Sequence, residues 1–415
     1  MAQRASASHR TAAQRARGGM KLSRPFSRRA RFATLALALA LLLALAGCDQ
    51  SAVQPSPTRP ALTPTPAGLP AFSDWRAAYL SLDGSVHAVT LDGKSDLTGP
   101  ALPPFKINSL ILASAGASPD GHLLAYASPS IVMANVAGTG AGAGLGASTR
   151  EVVAGAVADM VWSPDSRQVA LSDGGGALSL LPATADARTP IPGTPIPDVT
   201  VLNLWGWLDS SHLAIGTGAI VDGKESATAY VLSSLDITTG TLRTIAIIRS
   251  PGLGAPAIAL SPDGSRALFY NARIQDQPFT PIVDEIDIAT GAVTLLPAIV
   301  RATAGSFGPD YTSAAWRPGT HQLAISTGFL ENNDLKMWLL DVDRDTATPL
   351  LNGQYVARWS PDGATLVVAT SVQAEAGLGP HDLSAVTFGH DGQPHITQLT
   401  NDAMSFPFLG FVRTA

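Results

Sequence analysis

One short motif recurs six times along the chain, and this recurrence constrains the fold more than any other feature. In its fullest form an aromatic or apolar anchor precedes Ser-Pro-Asp-Gly, which a run of apolar and β-branched residues follows. The anchors are spaced 45, 45, 53, 56 and 43 residues apart and are Ala117, Trp162, Trp207, Leu260, Trp316 and Trp359. A Pro-Asp-Gly turn between two apolar runs predicts two antiparallel strands joined by a tight turn.

A second pair of strands is predicted further along each repeat. In the third and fourth repeats the turns of this pair end at Gly240 and Gly291, where glycine supplies the positive φ of a tight hairpin. Four antiparallel strands in about 45 residues are typical of a β-propeller blade. Over residues 77–415 the repeats resemble those of TolB-type and related WD-repeat-like propellers. This resemblance implies a fold and says almost nothing about activity.

The two ends of the array decide the predicted number of blades. Residues 78–99 supply three strands without a preceding Ser-Pro-Asp-Gly strand, and residues 406–412 supply one apolar strand without a partner. Together they complete a seventh blade, and closing the ring removes exposed sheet edges. We therefore predict an all-β, seven-bladed propeller closed by the N- and C-terminal strands of one blade. TolB-type domains are commonly six-bladed, so a six-bladed ring with additional strands is the alternative.

Charge is distributed unevenly along the chain. Residues 1–47 hold nine of the 27 basic residues and none of the 32 acidic ones, which leaves a net charge of −14 on the rest. Such an acidic domain argues against a nucleic-acid partner, because the phosphate backbone would be repelled. The single cysteine excludes an internal disulfide framework and a cysteine-based zinc site.

The N-terminal residues predict export and lipid attachment. An arginine cluster at positions 24–31 precedes the apolar run 32–46, which is short for a permanent membrane-spanning helix. The end of this run, Leu45-Ala46-Gly47-Cys48, resembles the lipobox of bacterial lipoproteins. The resemblance implies cleavage between Gly47 and Cys48 and a diacylglycerol on the thiol of Cys48. An ordinary signal peptide with a chance cysteine is the alternative.

These features divide the chain into three parts. Residues 1–47 are a predicted lipoprotein signal peptide, with Met20 as an alternative start. Residues 48–71 are the lipidated cysteine and a tether rich in proline, which is expected to be extended and solvated. Residues 72–415 are the propeller. We therefore expect a monomer anchored to the cell membrane by its N-terminal lipid and facing outside the cytoplasm, in an extracellular or periplasmic location.

Few residues form a pattern with catalytic or metal-binding chemistry. Three histidines occupy equivalent turn positions in their repeats: His122, His212 and His321. Because the other repeats have arginine, serine or alanine at this position, we predict that these histidines are exposed turn residues rather than metal ligands. The alternating Asp341, Asp343 and Asp345 lack the glycine and glutamate of a calcium loop. The glycine-rich run 138–146 lacks the strand–turn–helix context of a dinucleotide site. We expect no catalytic residue, no cofactor and no metal.

The predicted function is a non-catalytic binding or scaffold module for a protein or a small ligand, because propellers without an acid–base constellation usually bind. The alternative is an extracytoplasmic enzyme, a lyase or glycan hydrolase, with carboxylates at the channel mouth. Loops between the second and third strands differ from blade to blade, as recognition loops do. The candidate binding residues in these loops are Asp222, Lys224, Glu225, Asn271, Arg273, Gln275, Asp276, Glu331, Asn332, Asn333 and Asp334.

Overall fold

The computed structural model places a strand on each side of every repeated turn. It describes residues 74–81, 85–101, 115–128, 130–136, 149–152, 157–197, 202–221, 224–249, 257–273, 280–302, 313–327, 336–352, 354–371, 381–389, 392–400 and 405–413. All of these belong to one compact unit, residues 65–415.

The described strands form seven antiparallel blades of four strands each. Five blades are separate sheets, and blades 6 and 7 are joined into one eight-stranded sheet by the pair His381 and Ser405. Three strands of blade 7 come first: β1 (Trp75–Ser81), β2 (Ser85–Thr90) and β3 (Asp96–Ala101). Blade 1 contains β4 (Ala115–Ala117), β5 (Leu123–Ser128), β6 (Ser130–Asn135) and β7 (Thr149–Val152). Blade 2 contains β8 (Asp159–Trp162), β9 (Gln168–Ser172), β10 (Leu178–Pro182) and β11 (Thr189–Pro190). Blade 3 contains β12 (Leu202–Trp207), β13 (His212–Val221), β14 (Lys224–Asp236) and β15 (Leu242–Arg249). Blade 4 contains β16 (Ala257–Leu260), β17 (Arg266–Arg273), β18 (Thr280–Asp287) and β19 (Val293–Leu295). Blade 5 contains β20 (Ser313–Trp316), β21 (Gln322–Thr327), β22 (Lys336–Asp341) and β23 (Thr346–Asn352). Blade 6 contains β24 (Gln354–Trp359), β25 (Thr365–Ser371), β26 (His381–Phe388) and β27 (Pro394–Gln398). The last strand, β28 (Ser405–Arg413), completes blade 7.

Ring closure occurs in blade 7, as predicted. The C-terminal β28 pairs antiparallel with β1, with Trp75 opposite Arg413 and Ala78 opposite Gly410. The order of this blade is therefore β28-β1-β2-β3, one strand from the end of the chain and three from its beginning. The seven-bladed prediction is confirmed, and the six-bladed alternative is wrong.

The first strand of each blade lies at the centre of the ring. First strands of neighbouring blades contact one another from β28 through β4, β8, β12, β16 and β20 to β24. Their side chains face the two adjacent blades, so the hydrophobic core is divided into clusters between blades. One such cluster packs Ala324 and Met337 of blade 5 against Trp359 and Leu366 of blade 6.

Tryptophans at the ends of first strands join neighbouring blades. The indole N–H groups of Trp162, Trp207, Trp316 and Trp359 donate to backbone carbonyls of the preceding blade at 2.9 to 3.1 Å. Trp205 packs between blades 3 and 4. These side chains therefore belong to the core between blades rather than to an exposed stacking platform.

The repeated turn is held by its own side chains. In the four copies with Ser-Pro-Asp, the serine Oγ donates to the aspartate Oδ1 and accepts the backbone N–H five residues later. The same Oδ1 accepts the N–H two residues after the aspartate. The fourth position has a φ of +60° to +77° and is glycine in three copies and Ser166 in one. The near-identity of these turns thus has a structural cause.

One helix of the described residues was not predicted. The helix α1 (Pro297–Ala302) connects blade 4 to blade 5. Its Ala298 N–H donates to Asp345 Oδ1 at 2.9 Å, and Arg301 Nη2 lies 2.8 Å from Asp345 Oδ2. The described residues contain no helix of the length and apolar character that crossing a membrane requires.

Candidate functional site

The predicted binding loops lie only partly within the described residues. Lys224 and Glu225 begin β14, and Asn271 and Arg273 end β17. The others lie outside the described residues: Asp222, Gln275, Asp276, Glu331, Asn332, Asn333 and Asp334. Gly47 and Cys48 also lie outside them. The structure therefore places four of these candidates, at the backbone level, on the second-to-third-strand side of blades 3 and 4.

Blade 3 carries an extended hairpin on this side of the ring. Its β13 and β14 contain 10 and 13 residues, whereas the second strands of blades 1, 2 and 5 contain 5 or 6. Pairing continues past a register shift at Gly218 to the pair Val221 and Lys224. Four additional residues in β13 extend the hairpin by about 13 Å at 3.3 Å per residue. The hairpin thus projects from the face that carries the predicted recognition loops.

A single arginine occupies a first-strand position at which the other blades have small or apolar residues. The residue before each anchor lies on the first strand and is small or apolar in the other blades: Gly116, Val161, Gly206, Ala259, Ala315 and Gly410. Blade 6 has Arg358 at this position. Its neighbours Ala357 and Trp359 pack against blade 5. Because side chains alternate along a strand, Arg358 faces blade 7, where its Cζ lies 6.0 Å from the ring centroid of Phe408.

The surroundings of Arg358 combine exposure with desolvation. Water reaches the side chain, which is exposed. Loss of hydration nevertheless lowers the pKa of Arg358 below that of an ordinary guanidinium. Aligning the repeats identifies Arg358, since no other copy has a charge at this position, but Arg358 is not among the residues predicted above.

A buried charged cluster joins blades 4 and 5 on the side of the repeated turns. His321 Nε2 lies 2.5 Å from Glu285 Oε1, and His321 Nδ1 lies 2.6 Å from Asp343 Oδ1. Arg266 also donates to Glu285. Carboxylates only accept hydrogen bonds, so both bonds form when both ring nitrogens carry a proton. The imidazole of His321 therefore occupies the space between the Glu285 and Asp343 carboxylates, where a substrate would have to bind.

This cluster corrects the prediction that all three turn histidines are exposed. His122 is exposed, the side chain of His212 is 38% exposed, and His321 is only 7% exposed. His321 also stacks on Trp316, with ring centroids 5.7 Å apart. Its burial results from Glu285 of the neighbouring blade, and the spacing of the repeats alone could not reveal this contact.

A hydrogen-bonded relay of serine, histidine and aspartate lies in blade 7. Ser85 Oγ is 2.9 Å from His87 Nε2, and His87 Nδ1 is 2.8 Å from Asp96 Oδ2. The order of groups is that of a hydrolase triad. However, Ser85 is only 5% exposed, and Tyr79 stacks on the imidazole with centroids 5.1 Å apart. The relay thus connects β1, β2 and β3 and leaves its serine shielded.

A cleft of about 600 Å³ lies between blades 1 and 2. It is lined by Asp120 and His122 of the first repeated turn and by Asn135 and Arg150 of blade 1. Arg150 is already bonded to Asp186 Oδ1 at 3.0 Å and to a backbone carbonyl at 2.7 Å. The cleft lies on the side of the repeated turns, opposite the predicted recognition loops.

No protein-family model matches the chain, and no curated protein matches it by sequence. Solved structures do resemble it. Hydrazine synthase of Kuenenia stuttgartiensis is 14% identical with a TM-score of 0.46, and the match covers 75% of this chain and 95% of that one. A puromycin hydrolase mutant is 13% identical with a TM-score of 0.51, over 79% of this chain and 52% of that one. A chain of the mitotic checkpoint complex is 18% identical with a TM-score of 0.46, over 71% and 83%. At these identities the shared property is the propeller fold.

Proposed function

We propose that this protein is a non-catalytic binding module, tethered by lipid on Cys48 and facing outside the cytoplasm. The arginine cluster, the apolar run and the cysteine at the end of a lipobox-like sequence support the anchor. The proline-rich residues 49–70 support an extended connection between anchor and ring. The ligand is a protein or a small molecule outside the cytoplasm.

The observation that carries the binding proposal is the blade 3 hairpin. A closed ring of seven blades is a rigid scaffold, and a long hairpin on one face offers a surface for a partner without disturbing the core. The neighbouring β17 ends in Asn271 and Arg273, so polar residues of two adjacent blades share this side of the ring. Recognition by this face is therefore the proposed activity.

The alternative of an extracytoplasmic lyase or glycan hydrolase requires two carboxylates on either side of an open pocket. Glu285 and Asp343 are brought together by the fold, but His321 lies between them and bonds to both. This arrangement favours a structural role for the pair, and we therefore place binding ahead of catalysis.

The anchor is tested by replacing Cys48 with alanine and Ser51, a nearby tether residue, with alanine as the matched control. We expect the Cys48→Ala protein to leave the membrane fraction or to stay uncleaved, and the Ser51→Ala protein to behave like the wild type. If the Cys48→Ala protein fractionates and migrates like the wild type, it is not anchored through this thiol.

The binding face is tested by capture of crosslinked partners from the membranes of the source cell. The Arg273→Ala/Glu331→Ala double variant removes one positive and one negative charge from the proposed face. The Arg167→Ala/Asp186→Ala control removes the same charges from exposed positions on the side of the repeated turns. We expect the first variant to lose the partner and the control to retain it. The reverse result would place binding on the other side of the ring.

A further inference from the structure

The walls of the cleft between blades 1 and 2 are held in place by hydrogen bonds between the two blades. The Arg150 guanidinium donates to Ala183 O at 2.7 Å and to Asp186 Oδ1 at 3.0 Å. At the repeated turns, the backbone N–H of Asp120 donates to Ser166 Oγ at 3.0 Å. The cleft of about 600 Å³ is therefore preformed. Its volume lies within the range of about 300–1,000 Å³ that is usual for small-molecule sites.

The floor of the cleft is apolar. Met133 lines the cleft, is only 3% exposed and belongs to the hydrophobic cluster between blades 1 and 2. Leu123, which also lines the cleft, pairs with Asn135, and Met133 pairs with Arg150. Because paired residues and residues two apart share a face of a sheet, all four side chains lie on the face of blade 1 that packs against blade 2. A ligand in the cleft thus meets a C–H surface with polar groups beside it.

Polar side chains of several kinds surround this floor. The exposed residues His122, Asn135, Thr149 and Thr184 line the cleft together with Arg150. An amide, an imidazole and a hydroxyl each donate and accept hydrogen bonds, whereas a guanidinium only donates. The bonds of Arg150 to blade 2 use two of its five N–H groups, which leaves up to three for a ligand. Such a lining suits a ligand whose own groups both donate and accept, as hydroxyl groups do.

The charges around the cleft are balanced. Arg150 is paired with Asp186, and the Asp120 carboxylate already accepts hydrogen bonds from Ser118 Oγ and from the N–H of His122. An anion would be attracted by one arginine and repelled by two carboxylates, in a domain that is itself acidic. A cation would be repelled by Arg150 and would meet carboxylates that are already bonded. A neutral ligand therefore fits this cleft better than either ion.

We propose that the cleft between blades 1 and 2 binds a neutral carbohydrate, a short oligosaccharide. Its ring faces lie on Met133 and Leu123, and its hydroxyls bond to the surrounding polar side chains. The planar end groups of Asn135 and Arg150 each present two hydrogen-bonding atoms side by side, which matches the adjacent hydroxyls of a sugar ring. The site is separate from the hairpin face of the proposed function, which lies on the opposite side of the ring, and does not depend on that proposal.

Thermal unfolding of the full chain in the presence of sugars tests the proposal. The probes are three neutral trisaccharides at up to 20 mM: maltotriose, cellotriose and N,N′,N″-triacetylchitotriose. Trigalacturonate, which carries a carboxylate on every unit, is the charged comparison. Binding to the folded state raises the unfolding temperature, and the gain grows as ln(1 + [L]/Kd). We expect at least one neutral trisaccharide to raise the unfolding temperature and trigalacturonate to give a smaller shift.

Variants of the cleft separate specific binding from a general effect of sugar on stability. By calorimetric titration, His122→Ala/Asn135→Ala should bind the best trisaccharide about tenfold more weakly, because hydrogen bonds to two side chains are lost. The matched control Gln393→Ala/His395→Ala removes a carboxamide and an imidazole from exposed positions in blade 6 and should bind like the wild type. Thr149→Trp fills the cleft and should abolish binding without changing the unfolding temperature in the absence of sugar.

Three results would overturn the proposal. One is the absence of a shift with all three neutral trisaccharides, and another is equal binding by the wild type and His122→Ala/Asn135→Ala. A larger shift with trigalacturonate than with every neutral trisaccharide would contradict the neutral class. The Arg273→Ala/Glu331→Ala protein should bind the trisaccharide like the wild type whatever its effect on partner capture, so the two proposals can fail separately.

Discussion

Glu285→Gln tests whether the buried cluster between blades 4 and 5 stabilises the ring. Glu285 accepts hydrogen bonds from His321 and Arg266, and its side chain is 9% exposed. Glutamine keeps the shape but removes the negative charge that pairs with Arg266 and accepts the hydrogen bond from His321. Breaking a buried ion pair by neutralising one partner costs about 3–5 kcal/mol. Little of this is lost to solvent screening, because the side chains of Arg266 and His321 are 19% and 6% exposed.

The same substitution has a predicted pH dependence. Burial by itself would raise the pKa of Glu285, but the hydrogen bonds and charges of His321 and Arg266 outweigh it and hold the pKa below the ordinary value of 4.5. A carboxyl whose pKa is depressed by folding stabilises the native state above its unfolded pKa, and this stability is lost as the pH falls through the folded value. The wild type should therefore lose stability below about pH 4.5, and Glu285→Gln should lose less.

Urea denaturation at pH 7, 5.5 and 4, followed by tryptophan fluorescence, supplies the measurement. At pH 7 we expect a fall of roughly 5–10 °C in the accompanying thermal midpoint. Glu151→Gln, at an exposed position of β7, is the matched control and should stay within about 0.5 kcal/mol of the wild type. The reasoning is refuted if Glu285→Gln is as stable as this control at pH 7, or if its loss of stability at acid pH equals that of the wild type.

Three further predictions concern ring closure, turn geometry and contact between blades. Deleting residues 406–415 removes four buried apolar side chains of β28, whose burial contributes about 6–12 kcal/mol to the free energy of unfolding. Circular dichroism of the truncated protein should therefore show no cooperative unfolding. An unchanged melting temperature would contradict closure in blade 7. Gly264→Ala should destabilise more than Gly392→Ala. Both glycines have positive φ, but an added Cβ at Gly264 would meet a backbone oxygen at 1.9 Å, whereas at Gly392 it would meet no atom of the described residues within 4 Å. Equal losses in a denaturant titration would show that φ alone matters. Trp359→Phe should cost about 1–3 kcal/mol, because the 3.1 Å bond to Ala315 O is lost, and an unchanged denaturation midpoint would argue against that bond.

Local sequence determined the blades. The Ser-Pro-Asp-Gly turn is built from residues within five positions of one another, and its serine, aspartate and glycine satisfy the turn by themselves. Apolar runs on both sides then specify strands, and the regular spacing specifies the array. The seventh blade was also predictable, since three strands at one end and one at the other were left without partners.

Contacts between blades were decided only by the tertiary structure. His321 occupies the same turn position as His122, yet His321 is buried and His122 is exposed, because Glu285 of the neighbouring blade lies against His321. Arg358 is one charged residue among several until the ring places its guanidinium beside Phe408 of the neighbouring blade. Sequence spacing reports which residues share a strand, but the environment of a side chain depends on the blade beside it, which lies tens of residues away along the chain. The architecture therefore follows from local residues, whereas each candidate site depends on how the closed ring brings distant residues together.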